Sequence, residues 1–218
     1  MSAPAIGVLG LGNFGATVAR TLASFGHHVI GLDISDSVVG SIADDLAQAV
    51  IADAKDEEAL RDAGIDQCDI VVIAMGDDLE ANLVTAMNVR VLGIRNVWVK
   101  SRSRTHQRIL SKIGVDHVIN PEQEMGFRIA QRIHNPHVAD YMSVGGGQTV
   151  VALAVPEIMI GKPAASLPVA DTEIIHLGTQ RAGKLIEPKD HGLFEADDVL
   201  ILMGRRGRLQ NFGEKICG

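Results

Sequence analysis

Aromatic side chains are scarce: one Trp, one Tyr and five Phe in 218 residues, 3% of the chain. A core made from this sequence must therefore rest on Val, Ile, Leu, Ala and Met. The one basic stretch, Arg102, Arg104, His106, Arg108 and Lys112, has no aromatic residue interleaved for base stacking. It reads as a solvated helix face and not as a nucleic-acid surface. Cysteine is scarcer still. Cys68 and Cys217 are far apart in sequence with no metal-ligand spacing, and they read as reduced thiols. Positive charge is in deficit: 20 Lys and Arg against 27 Asp and Glu give a net charge of −7, which argues against nucleic acid and against a general attraction to anionic membranes. The eight histidines show no H-x-x-x-H or H-E-x-x-H spacing. His27, His28, His106, His117, His134 and His137 are expected at the surface or an interface. There is no G-x-S-x-G elbow, and neither cysteine has an evident base. No apolar run approaches a membrane span and the first residues show no signal-peptide pattern, so a cytoplasmic protein that reaches a membrane only through a partner is expected.

What the chain does have is glycine in a particular place. Gly10-Leu11-Gly12-Asn13-Phe14-Gly15 lies between an apolar run, Ala5 to Leu9, and a helical pattern carrying Phe14, Val18, Leu22 and Phe25. Asp33 closes the next apolar run. This is the G-x-G-x-x-G arrangement of a nucleotide-binding βαβ unit: Gly10 for the tight turn, Gly12 for close approach of a phosphate, Gly15 for helix–strand packing. Free N–H groups at the helix start face the phosphates, and Asp33 can accept hydrogen bonds from a ribose diol. The plain alternative is a vestigial turn that binds nothing.

Five further strands are expected over His28–Leu32, Ala49–Ile51, Asp69–Met75, Asn96–Val99 and Val115–Ile119, alternating with helices over about 35–46, 56–64, 77–92 and 105–113. The continuous apolar run before Met75 marks a central parallel strand. The fold class is therefore α/β, a Rossmann-like doubly wound parallel sheet, followed by a small α+β domain. Pro121 breaks the rhythm. Met125, Ile129 and Ile133 then form one stripe on a helix of about 122–134 that connects the two parts. The expected organisation is a nucleotide-binding domain over 1–136, a linker over 137–147 and a second domain over 148–218. Strands are expected there over Thr149–Val155, Glu173–Leu177, Lys184–Glu187 and Val199–Met203, with a helix over Arg205–Phe212. So small a second core predicts dimerisation.

Ligands bind at the carboxyl edge of such a sheet. Asp53-Ala54 follows the third strand and can border an adenine ring. Met75-Gly76 follows the fourth and can lie against a base or ribose. Lys100 follows the fifth and can neutralise a phosphate. Glu122 follows the sixth and can take a hard divalent cation such as Mg or Ca, or a symmetry mate's polar group. Each has a structural alternative: Asp53 starts the next helix, Lys100 is a solvated strand end, Glu122 caps the helix after Pro121. The second domain offers scattered carboxylates with His176 and His191 but no catalytic constellation. A sensor is therefore favoured over the alternative, a small NAD(H)-dependent oxidoreductase.

Several stretches carry a family resemblance: the glycine loop, Ile51-Ala52-Asp53-Ala54, Ile73-Ala74-Met75-Gly76, Val97-Trp98-Val99-Lys100, and above all Ile113-Gly114-Val115-Asp116-His117-Val118-Ile119-Asn120-Pro121-Glu122 running on to Glu124-Met125-Gly126. The sequence resembles the RCK family, the cytoplasmic regulatory subunits of Ktr/Trk potassium-uptake systems, closely over about its first 140 residues and in outline beyond. The resemblance implies an N-terminal nucleotide-binding domain and a dimer-building crossover helix after Pro121. It further implies a C-terminal RCK_C domain and an octameric ring docked on a membrane potassium-translocating subunit. ATP, ADP or NAD(H) would occupy the glycine-loop cleft. Asp33 would hold the ribose, Lys100 would lie near the nucleotide or a subunit interface, and Glu122 would correspond to an inter-subunit divalent-cation ligand. In Ktr-type members an Arg that reaches a γ-phosphate is common between Gly12 and Phe14. Asn13 stands there here, which weakens ATP preference and favours NAD(H). Leu167 to Ile175 has no Arg or Asn, so the cyclic di-AMP motif of some relatives is not expected.

Overall fold

The computed structural model describes residues 3–76, 78–134, 138–169 and 172–217. Asp77, Asn135, Pro136 and His137, which figure in the expected helix ends and linker, lie outside them. Short apolar runs alternate with helices to give β1 (Ala5–Leu9), α1 (Asn13–Ser24), β2 (His28–Asp33), α2 (Asp36–Gly40), β3 (Gln48–Ile51), α3 (Glu57–Asp62), β4 (Ile70–Ile73), α4 (Leu79–Val91), β5 (Asn96–Lys100), α5 (Arg104–Ile113) and β6 (His117–Ile119). The six strands pair in parallel in the order β3-β2-β1-β4-β5-β6, the doubly wound dinucleotide-fold order. Strand residues alternate between two cores. Leu9, Ile30, Leu32, Val71, Ile73, Val97 and Val99 face one side, with Leu60 and Leu110 packed on them. Ile6, Val8, Val29 and Val72 face the other, against Leu11 and Ala19. Burial on both faces explains why the strands read as unbroken apolar runs.

Helix starts follow local capping chemistry. Asp56 accepts from the Glu58 and Ala59 N–H groups, Asp78 from Ala81, and the Ser103 hydroxyl from His106. The helix expected to run to Leu46 is shorter: α2 stops at Gly40, and a 3-10 turn follows at Ala43–Asp45. Two valines, a glycine and a serine are poor helix formers in sequence, and the Ser41 hydroxyl bonds the Val38 carbonyl.

The chain divides into two compact units, Met1–Glu122 and Gln123–Gly218. Helix α6 (Pro121–His134) is followed by β7 (Val138–Gly145), which occupies most of the stretch expected as a linker. It forms a hairpin with β8 (Gln148–Ala154), and the strand pattern of Thr149–Val155 is thus half of a hairpin that sequence alone left unpaired. Strands β9 (Ile175–Arg181), β10 (Lys184–Ile186) and β11 (Val199–Arg205) complete an antiparallel sheet in the order β10-β9-β11-β8-β7, and α7 (Arg206–Cys217) covers it. The strand expected from Glu173 starts later because Glu173 takes a left-handed turn, φ 59°. Helix α7 continues past Phe212, since Ile216 as well as Leu209 and Phe212 reaches the core of Val151, Leu153, Phe194, Leu200 and Leu202.

The second core holds a buried charged group. Asp198 is 1% exposed and accepts a two-pronged bond from Arg181, Nε to Oδ1 at 2.6 Å and Nη2 to Oδ2 at 2.7 Å, with a third bond from the Glu195 N–H at 2.9 Å. The Arg181 hydrogen bonds hold its carboxyl below the usual aspartate range. A lowered carboxyl pKa contributes stability that is present above the unfolded value, about 3.9, and lost as pH falls through the folded one. Arg181→Met takes away the guanidinium and leaves that buried carboxylate only the Glu195 N–H and His191, whose Nε2 lies 3.5 Å from Oδ2. It should lower the thermal midpoint at pH 7 by roughly 5 °C or more. The gap from the unsubstituted protein should narrow in melts run near or below about pH 4, where Asp198 can take a proton.

Candidate functional site

The site grows from the turn after β1. Gly10 has φ 91°, and its N–H donates to the Leu32 carbonyl at 2.8 Å. A Cβ at Gly10 would lie 2.9 Å from the Met75 backbone nitrogen, so the loop rests directly on the end of β4. A Cβ at Gly15 would run into the Gly10 carbonyl oxygen and lie 3.0 Å from the Ala74 Cβ. Gly12 is different: a Cβ there meets nothing within 4 Å. It faces open space at the N-terminus of α1, where its lack of a side chain leaves the helix start without a side-chain cap. The first turn of α1 carries no acidic residue, so its positive end is not neutralised locally.

Asp33, the last residue of β2, locks this loop. Its Oδ2 accepts from the Leu11 N–H at 2.7 Å and its Oδ1 from the Ser35 N–H at 2.9 Å. A carboxylate has roughly four acceptor positions, so two stay available after these bonds. Gly10, Asp33, Asp53, Ala54, Met75 and Asp78 line one cleft of about 220 Å³ at the carboxyl edge of β1, β2, β3 and β4. It lies at the switch point of the sheet, where β1 is flanked by strands reached in opposite directions. Asp53 makes a local turn, accepting from the Lys55 N–H at 2.9 Å. The capping of α3 falls to Asp56 instead.

A second cluster adjoins the glycine loop. Lys100, its side chain 14% exposed, places Nζ 2.5 Å from Glu122 Oε1 and 5.7 Å from the centre of the Phe14 ring. Gly76 leaves room for it, since a Cβ there would lie 3.2 Å from Lys100 Nζ. The hydrogen bond from Lys100 holds the Glu122 carboxyl below the usual range. The sequence-selected residues thus form two groups: Gly10, Asp33, Asp53, Ala54 and Met75 in the cleft, and Phe14, Gly76, Lys100 and Glu122 beside it. Asn13 is exposed at the head of α1. Among the described residues no group of three or more His, Cys, Asp or Glu side chains is arranged to hold a metal ion. Cys68 is buried, and burial together with Asp69 and Asp66 pushes its thiol up to about 11, the behaviour of an inert thiol.

Two residues at the site escaped sequence reasoning. His106, expected at the surface with its basic neighbours, is 3% exposed, and Asn82 is wholly buried. Asn82 Nδ2 donates to the carbonyls of Met75 at 2.7 Å and Lys100 at 3.1 Å, and its Oδ1 lies 3.0 Å from His106 Nε2. His106 Nδ1 accepts from the Arg102 N–H at 3.3 Å. These partners require the neutral ring with its proton on Nε2. Burial, aided by the charge of Arg102, lowers the pKa of His106. The signal was position: His106 precedes Leu110 by one helical turn, and Asn82 shares the buried stripe of Thr85, Ala86 and Val89. A polar residue in an apolar stripe needs a partner.

Loop, acid and cleft define the class of nucleotide-binding Rossmann-like domains. The TrkA-N domain model matches residues 6–121. The chain is 32% identical to Ktr system potassium uptake protein A of Vibrio alginolyticus over 94% of each sequence. It is 29% identical to Ktr system potassium uptake protein C of Bacillus subtilis over 96% of each. It superposes over its whole length on the GsuK channel bound to NAD, with a TM-score of 0.65, 18% identity and 40% of that longer chain covered. The chain belongs to the TrkA-N (RCK) family of Ktr/Trk potassium-uptake proteins. The relatives are named as uptake proteins and not as enzymes.

The two kinds of glycine separate fold from site. Gly15→Ala should destabilise by about 1–3 kcal/mol through overpacking against the Gly10 backbone. Gly12→Ala should stay within about 0.5 kcal/mol of the unsubstituted protein. Urea melts of the two variants check this.

Proposed function

We propose that this chain is a non-enzymatic, nucleotide-binding regulatory subunit of a potassium-uptake system. The observation that carries the proposal is the Asp33 bridge: one carboxylate holds the glycine loop and the turn after β2 together at the mouth of the cleft. A ribose diol would bond the acceptor positions Asp33 has left. Phosphates would lie over Gly12 at the uncapped head of α1, and Asp53 with Ala54 would border the adenine. Met75 and Gly76 would lie against base or ribose. Lys100 would turn from Glu122 toward a phosphate oxygen. Asn13 brings no charge to a third phosphate, which favours NAD(H) or ADP over ATP. The solved NAD-bound relative of the same fold supports NAD(H) further. A divalent cation at Glu122 would have to compete with Lys100 for that carboxylate.

Regulation needs an assembly and a partner. Met125, Phe127, Ile129 and Ile133 on α6 are each at least 45% exposed. Separately, the first unit leaves an almost wholly apolar groove of about 410 Å³ between α1 and the β4–β6 half of the sheet, with Phe14, Val18, Leu22, Val72 and Trp98 on its walls. Both surfaces suit a second copy of the chain, as a crossover-helix dimer and then an octameric ring would supply. Among the described residues no helix is long and apolar enough to cross a membrane. The Ktr relatives, matched over 94% and 96% of their own length, are named as proteins of an uptake system, and by that likeness the translocating subunit would be a separate membrane protein with this chain docked on its cytoplasmic side. A coupling of about 1–3 kcal/mol between nucleotide and ring shape suffices for control, provided the nucleotide prefers one shape.

Asp33→Ala removes the bridge and the ribose acceptor. Titration calorimetry with ATP, ADP, NAD⁺ and NADH should show binding to the unsubstituted protein and a loss of about tenfold or more in the variant. Circular dichroism would confirm its fold. Unchanged affinity overturns the site assignment.

A further inference from the structure

We propose that His106 and Asn82 are positioning residues of the nucleotide cleft, acting from behind it on the backbone of Met75 and Lys100. The inference rests on the nucleotide reading above and adds residues that do not line the cleft.

The pairing of two adjacent parallel strands, β4 and β5, ends at Ile73 and Val99. Met75 lies past that point, and Lys100, still paired with Ile119 of β6, has no pairing partner left on its β4 side. Asn82 bridges the two there. One side-chain amide donates to both carbonyls, at 2.7 and 3.1 Å. A primary amide orients itself only if its oxygen is also satisfied, and the His106 Nε2–H does this at 3.0 Å. The imidazole is fixed in turn by the Arg102 N–H on Nδ1 and by its place in the first turn of α5. Each member has its partners, and both side chains are buried, so the arrangement tolerates little play.

Both ends that Asn82 grips bear on where phosphate would sit. The Met75 backbone is the surface on which Gly10 rests, closely enough that a Cβ on Gly10 would be 2.9 Å away. Lys100 carries the ammonium that stands beside Phe14 and Gly76. If the Asn82 amide turns, the seat of the glycine loop loosens and the root of Lys100 keeps only its pairing with β6. On the adenosine side the amide reaches only Met75, while Asp33 and Asp53, which follow β2 and β3, make no bond to it. The defect therefore falls most heavily on the phosphate part of the ligand.

The chemistry of residue 106 gives the test. Glutamine can place an N–H where imidazole Nε2 lies and keep the bond to Asn82. Asparagine can place an oxygen where Nδ1 lies and keep the Arg102 N–H, but it falls short of Asn82. His106→Gln, His106→Asn and His106→Leu would be titrated by calorimetry with ADP, NAD⁺ and adenosine, beside the unsubstituted chain. The expected result is unchanged affinity for His106→Gln and a loss of about tenfold for ADP and NAD⁺ in His106→Asn and, if it folds, His106→Leu. Adenosine should lose markedly less than ADP and NAD⁺ in every folded form. A mere need for a buried polar group would treat Asn and Gln alike, and a general loosening would weaken adenosine equally. Either pattern overturns the proposal, as does full affinity for ADP in His106→Asn. If the unsubstituted chain binds no nucleotide, the cleft assignment itself falls. If it binds and the variants match it, only the positioning role falls.

Discussion

The Asp33 carboxylate is the constraint on which the first unit's organisation turns. A glycine loop is floppy by composition, and its N–H groups would order at an entropic cost of about 1–2 kcal/mol per residue if left free. Here the loop is held at three points. The Gly10 N–H is tied to Leu32, the Leu11 N–H to Asp33, and the Gly10 backbone rests on Met75. Two of these anchors come from β2 and one from β4, the strands on either side of β1. The parallel order of the sheet therefore serves as the jig for the loop. A charged acceptor makes the Leu11 and Ser35 bonds stronger than neutral ones would be. A preformed cleft then has less ordering to do when a ligand arrives.

The parts of this arrangement that were legible in the sequence share one property: their signal is local. Gly10, Gly12, Gly15 and Asp33 are read from spacing along one βαβ unit. The six parallel strands are read from apolar runs separated by capped helices. What was not legible depends on residues distant in the chain. Asn82 meets Lys100 and His106 across 18 and 24 positions, and no spacing rule reports that pairing. The basic run around His106 also misleads. Arg102, Arg104, Arg108 and Lys112 are exposed as a charged run should be, while the histidine among them turns inward. In the second unit, β7 carries three glycines at and just beyond its end, which reads as a linker; its pairing partner β8 gives it order. Likewise Arg181 and Asp198 are unremarkable in sequence and become a pair, with the carboxylate buried, only when β9 and the approach to β11 come together.

Lys100 illustrates how a weak contact and a firm one can share a residue. Its ion pair with Glu122 is short, but the Glu122 side chain is 64% exposed. Such pairs contribute about 0–1 kcal/mol because water competes for the exposed partner. The Lys100 carbonyl, by contrast, is gripped by a fully buried amide. The root of the side chain is therefore fixed while its tip is held lightly.

That asymmetry suits a ligand-sensing role. A phosphate that reaches Lys100 has only a screened carboxylate to displace, and it meets an ammonium that is already 14% exposed and close to the glycine loop. Glu122 would then be released at the start of α6, the helix proposed to lead into the assembly. The same nucleotide contact that fills the cleft would thus change the charge environment at the start of α6. Such coupling requires that the tip of Lys100 move and its root stay, which is the division of labour between Glu122 and Asn82.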